Sequence, residues 1–319
     1  MGSRSTLFDN GIFILWPPHY VYNISMKTLI RRLPVLVVFI FLSSCFAPES
    51  IEGSGIIANK LVKAEVVQSR MLNQGGTKFH MMTRNASSSN LVVFIHGTPG
   101  EWTIFSPQMR SEVLAGAASL VAIERPGWGL SETSQKDKIL SLAEQSGMLG
   151  PALKALKEEY RSDNLVIVGH SLGGSLVPRI AMDFPQLIDA VVVIAGDLTD
   201  DYSPAHWYND VASWWAIRWM IPGIMQRANE EVLQLAPDLA AMKPLWGKIT
   251  APLLVVQGVQ DGLVDPRHAD FAERVETSGP VKVIRFEQGD HLLHLSDAKS
   301  VNKIIAEVVN RESSRIFER

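Results

Sequence analysis

Leu165-Val166-Ile167-Val168-Gly169-His170-Ser171-Leu172-Gly173-Gly174 is the stretch on which the fold turns. Its opening apolar run, rich in β-branched residues, reads as a strand buried on both faces of a parallel sheet. The run passes straight into Gly-x-Ser-x-Gly and then into a helical pattern over Leu172–Asp183. Side chains two residues either side of Ser171 would clash in a tight strand-to-helix turn, so glycines stand there. Such a turn lifts the Ser171 hydroxyl to the carboxyl edge of the sheet. It also puts the Leu172 N–H at a helix N-terminus, where it faces developing negative charge.

Outward from this segment, similar short runs recur at Leu91–Ile95, Leu120–Ile123, Val191–Ile194, Leu253–Val256 and Val281–Ile284. Helical patterns lie between them at Ile139–Tyr160, Pro266–Glu276 and Ser300–Arg311. Alternation of this kind predicts a mostly parallel sheet covered by helices on both faces. Val62–Val67 and Lys78–Thr83 are expected to form an antiparallel hairpin on the sheet edge. Residues 199–248 hold no convincing strand and carry five of the eight tryptophans, Trp207, Trp214, Trp215, Trp219 and Trp246. That stretch reads as a helical cap inserted between two strands. Its aromatics either pack the insertion onto the body or line an apolar substrate pocket. Pro178 falls inside the helix after Ser171, where a kink is expected.

Three further segments complete a pattern. His96-Gly97-Thr98-Pro99-Gly100 follows one strand, and Arg125-Pro126-Gly127-Trp128-Gly129-Leu130-Ser131 follows the next. Asp261 stands three residues past Gly258 at the end of a third strand, and His291 lies just past the last one. In this order the sequence resembles the α/β-hydrolase family over nearly all of Val62–Val309. The resemblance implies an α/β-hydrolase fold with Ser171 as nucleophile, Asp261 as the orienting acid and His291 as the base. It implies an oxyanion hole made by the N–H groups of Thr98 and Leu172, since Pro99 has none to give. Asp265 is the rival acid, better explained by the helix start at Pro266. His294 is the alternative base. His96 and His170 are expected to be structural, and His19, His80, His206 and His268 to be solvated surface.

The implied chemistry is acyl transfer to water through an acyl-enzyme, most simply on carboxylic esters with an apolar acyl group. It requires no metal and no organic cofactor. Haloalkane dehalogenases and epoxide hydrolases of this fold use an aspartate nucleophile, so Ser171 argues against both. C–C bond hydrolysis, aminopeptidase activity, cofactor-free haloperoxidase activity and a non-catalytic envelope binder remain alternatives on the same fold.

The 319 residues are 46% hydrophobic and 20% charged, values of a globular chain and not of a disordered one. A net charge of −3 gives no basic surplus for nucleic acid, and a small-molecule acyl substrate is the expected partner. One cysteine, Cys45, excludes an intrachain disulfide framework. It follows a basic stretch with Lys27, Arg31 and Arg32 and an apolar run, Leu33–Leu42, too short to cross a bilayer comfortably. Leu42-Ser43-Ser44-Cys45 resembles the lipobox of bacterial lipoproteins, in which the cysteine is acylated after cleavage before it. On that reading residues 1–25 are upstream read-through, 26–44 a signal peptide, 45–55 the lipidated cysteine with a flexible tether, and 56–319 the folded domain. The protein would then sit in the cell envelope, anchored in the outer membrane and facing the periplasm. Oligomeric state is not readable.

Overall fold

The computed structural model describes residues 48–310 apart from 87, 136–137 and 205–206. The signal peptide and Cys45 expected within residues 1–47, and the surface positions expected for His19 and His206, lie outside the described residues. Helix α1 (Pro48–Lys63) leads into the hairpin β1 (Gln68–Gln74) and β2 (Thr77–Arg84), then β3 (Asn90–Ile95). A 3-10 turn at Trp102–Phe105 and two short helices, α2 (Ser106–Arg110) and α3 (Glu112–Ala117), precede β4 (Ser119–Ile123). Next come α4 (Leu142–Glu159), β5 (Asn164–His170), α5 (Leu172–Asp183) and β6 (Ala190–Ile194). The insertion follows as α6 (Trp207–Ser213), α7 (Trp215–Arg218) and α8 (Gly223–Met242). The chain closes with β7 (Leu253–Gly258), α9 (Arg267–Arg274), β8 (Val281–Phe286), α10 (Leu293–Ser296) and α11 (Ala298–Val309).

The eight strands form one sheet in the order β1-β2-β4-β3-β5-β6-β7-β8. β1, β2 and β4 pair antiparallel, and β4 through β8 pair parallel. The continuous apolar runs exist because both faces are covered. Leu91, Val93, Ile95, Leu165, Ile167, Val191 and Val193 meet α4, α5 and the inner side of α8. Their neighbours Val92, Phe94, Val166, Val168, Val192 and Ile194 meet α1, α3 and α11. Adjacent residues of a strand point to opposite faces, so one strand serves two cores.

Several boundaries differ from expectation. Residues 48–55 of the expected tether are helical and belong to α1. Ser54 is buried with its carbonyl accepting the Ser106 hydroxyl at 2.6 Å, and Ala58 and Leu61 enter the core below it. The hairpin exists, but its first strand is Gln68–Gln74, and Val62 belongs to α1. Helix α4 starts at Leu142 because Ser141 and Glu144 form a reciprocal capping box. Helix α5 runs unbroken through Pro178.

α1 has a direction that matters later. Its start lies beside the Trp102–Phe105 turn, which follows the loop at the carboxyl end of β3. Its end feeds β1, whose first residue Gln68 pairs with Thr83 where β2 reaches the opposite edge of the sheet. α1 therefore runs antiparallel to the parallel strands, and the described chain begins at their carboxyl edge.

Candidate active site

Ser171 sits between β5 and α5 with φ 55° and ψ −126°, a conformation that costs a residue with a Cβ. The surroundings leave it no alternative. A Cβ on Gly173 would lie 2.2 Å from the Ile95 carbonyl oxygen, and one on Gly169 2.1 Å from that of Gly173. A Cβ on Gly97 would meet Ser171 Cβ at 2.7 Å and its Oγ at 3.2 Å. The loop after β3 thus lies against Ser171, with Thr98 next in sequence. Leu172 opens α5, so its N–H belongs to the helix N-terminus.

Asp261 and His291 come from loops at the ends of β7 and β8, held side by side. Gln260 N–H donates to the Gly289 carbonyl at 2.9 Å, and Val259 N–H to that of Phe286 at 2.9 Å. Asp261 Oδ2 accepts from His291 Nδ1 at 2.9 Å. Its Oδ1 accepts the N–H groups of Leu263 and Val264 at 2.8 and 2.9 Å. Burial alone would raise the Asp261 carboxyl, but the hydrogen bond and charge of His291, with those two N–H groups, leave it lowered. In the neutral imidazole, a proton on Nδ1 facing the carboxylate leaves Nε2 of His291 as the acceptor nitrogen.

Asp265 is not in this couple; it accepts the Arg267 N–H at 2.9 Å at the start of α9 and pairs with its guanidinium. Neither is His294, fully buried with its ring 4.0 Å from that of His170 and 5.5 Å from Phe105. His170 donates from Nε2 to the His291 carbonyl at 2.9 Å, fixing the backbone at His291. Burial and the neighbouring His291 push His170 down to about 3, so it stays neutral. His96 is lowered well below the usual range by burial and by Arg125. Its Nδ1 donates to the Gly97 carbonyl at 2.8 Å and its Nε2 accepts the Arg125 N–H at 3.0 Å.

Two histidines expected at the surface are buried. His80 lies 2.8 Å from Glu124 and 3.0 Å from the Ser69 hydroxyl. His268 lies 3.0 Å from Asp197 and accepts the Leu198 N–H at 3.2 Å. In each case a charged partner on a different strand or loop compensates the burial.

Glu231, on α8 of the cap, is the residue that sequence reasoning missed. Its carboxylate takes Arg125 bidentately at 3.0 and 2.9 Å and the Trp128 indole N–H at 2.9 Å. Arg125 Nη2 also donates to the Gly97 carbonyl at 2.9 Å, and Nη1 to Gln145 at 2.9 Å. Burial would raise the Glu231 carboxyl, but Arg125 holds it lowered. One buried ion pair thus joins the cap to the loop beside Ser171. A signal was available: the buried stripe of α8 is Ala228, Glu231, Leu235, Leu239 and Met242, with one acid among apolar residues. Among the described residues, no group of three or more His, Cys, Asp or Glu is placed to hold a metal ion.

The profile of the alpha/beta hydrolase family matches residues 92–304. The chain belongs to that family. This alpha/beta hydrolase is 28% identical over 129 residues to a 2-hydroxy-6-oxononadienedioate/2-hydroxy-6-oxononatrienedioate hydrolase of Cupriavidus pinatubonensis, covering 39% of this chain and 43% of that one. The chain spans about half the length of the curated relatives it matches. Among solved structures, a membrane phospholipase A superposes with a TM-score of 0.62 at 14% identity, covering 90% of this chain and all of the other. The Cif epoxide hydrolase of Acinetobacter nosocomialis gives 0.62 at 17% identity, covering 81% and 96%. These likenesses establish the fold, and each of the three proteins just named is a hydrolase.

Proposed function

We propose that this chain is a serine hydrolase that works through an acyl-enzyme, most simply on carboxylic esters with an apolar acyl group. The observation that carries the reading is the 2.9 Å couple of His291 with a buried, ionised Asp261, on the same sheet edge as a strained Ser171. His291 Nε2 takes the proton as Ser171 Oγ bonds to the carbonyl carbon. Asp261 holds the tautomer and stabilises the imidazolium. The N–H groups of Thr98 and Leu172 receive the oxyanion, each commonly worth about 10²–10³ in rate. The tetrahedral adduct then collapses, the C–O bond to the leaving alcohol breaks, and His291 returns the proton to that oxygen. Water, deprotonated by His291, opens the acyl-enzyme by the same route. The reading includes acylation at Cys45 and attachment to the outer membrane, motivated by the lipobox-like Leu42–Cys45.

A fluorophosphonate probe read by intact mass spectrometry tests it. One adduct on the wild type, absent from Ser171→Ala and His291→Ala, is the expected result. No adduct on folded wild-type protein would sink the serine mechanism. C–C bond hydrolysis is the second reading, favoured by the similarity to the oxononadienedioate hydrolase. Faster turnover of a vinylogous 1,5-diketone acid than of p-nitrophenyl esters would select it.

A further inference from the structure

The cap carries an apolar surface that its fold does not explain. Trp214, Trp215 and Trp219 are 57%, 79% and 77% exposed, with Met220 and Ile224 exposed beside them. Of the cap tryptophans whose side chains are described, Trp246 alone enters the core, against Phe271. The tryptophans at α7 thus fit neither expected role, packing the insertion or lining a pocket. Other exposed large apolar residues, such as Met71, Val113 and Val259, are scattered singly and need no account. Among the described residues, every exposed large aromatic belongs to this one surface, within residues 214–219. An apolar cluster of that kind marks an interaction site.

We propose that Trp214, Trp215, Trp219, Met220 and Ile224 are the surface by which the cap lies on a lipid bilayer. Indole rings favour the headgroup level of a membrane, where an apolar body and a polar N–H are both satisfied. The position agrees. The insertion leaves the carboxyl end of β6, the edge of the sheet that carries Ser171. α1 begins at that same edge, and the six residues Pro48–Gly53 extend it about 9 Å beyond the contact of Ser54 with Ser106. Ahead of Pro48 the chain holds Lys27, Arg31, Arg32, the apolar run Leu33–Leu42 and Cys45, the chemistry of a lipid-seeking segment. The chain enters the domain at the edge from which the insertion leaves, and a second protein is not required to cover the patch. The inference deepens the reading of a tethered serine hydrolase and rests on it for the tether: acyl substrates would be taken from the bilayer that the cap touches.

The test uses the full chain reconstituted in vesicles of phosphatidylethanolamine and phosphatidylglycerol, with and without brominated acyl chains. Brominated lipid should quench the wild-type tryptophan emission, and the Trp214→Ser/Trp215→Ser/Trp219→Ser variant should lose most of that quenching. Trp219→Ser alone should lose part of it. The triple variant should keep its turnover of a short soluble ester and fall roughly tenfold on a long-chain ester held in vesicles. Equal quenching of wild type and variant would overturn the proposal. So would a wild-type dimer that the triple variant abolishes and that lipid does not displace, because a second copy would then cover the patch. Absence of a fluorophosphonate adduct would end the serine-hydrolase reading while the quenching arm still decides the surface.

Discussion

Ser171 is held at positive φ by contacts it does not make itself, and those contacts have mutational signatures. Gly173→Ala puts a methyl group into the backbone of Ile95 and His96, which has nowhere to go. The expected result is a loss of at least about 3 kcal/mol in urea unfolding, or no folded protein at all. Asp261→Asn should leave the fold intact and cut kcat by about 10⁴, because the asparagine stabilises the wrong imidazole tautomer. A variant within tenfold of wild type, measured on any ester the wild type turns over, would remove Asp261 from the mechanism. At this scale the strand-to-helix turn at Ser171 was legible because its backbone leaves room for few residue types. His80 and His268 were not, because a histidine is buried or solvated according to a partner distant in sequence: Glu124 for one, Asp197 for the other.

Helix α8 is fastened to the body by a charge pair with exposures of 0% and 3%. Glu231→Gln keeps the shape of the side chain and leaves the Arg125 charge buried without its counterion. Urea unfolding should show a loss of about 3–5 kcal/mol. The double variant Arg125→Met/Glu231→Met should recover part of it, since paired apolar replacements remove the desolvation cost as well as the attraction. The single variant should also lower kcat more than it raises KM, because the Gly97 carbonyl that Arg125 holds belongs to the loop beside Ser171. Full stability in Glu231→Gln would show that the pair does not fasten the cap. The strands were legible at element scale because burial on both faces writes an uninterrupted apolar run. α1 was not, since Gly53-Ser54-Gly55 has the composition of a linker. Small residues there let the helix lie against Ser106 instead.

Among the described residues three histidines, His96, His170 and His294, have their basicity depressed, with burial the first cause. In the unfolded chain each would titrate near 6.5. Below that pH the unfolded state takes up protons that the native state refuses, so stability is full above about 6.5 and falls as pH drops toward the native values. Each group contributes a slope of up to about 1.4 kcal/mol per pH unit in that window. Urea midpoints measured from pH 7.5 down to 4.5 should therefore fall steeply, and His294→Phe should flatten the curve. A profile level from pH 7 to 5 would contradict the burial of neutral imidazoles. Global architecture was readable from strand order. The facing of the cap tryptophans was not, because an indole has the same sequence signature in a core as on a surface.

The starting point of α1 has a kinetic consequence. Two residues, Phe46 and Ala47, lie between Cys45 and Pro48, three chain steps that span about 10 Å at full extension. If Cys45 carries acyl chains as proposed, so short a leash would turn the search for substrate from a volume into an area. Turnover would then follow the mole fraction of substrate in the membrane instead of its concentration in the buffer, and diluting a vesicle suspension would leave the rate per enzyme unchanged.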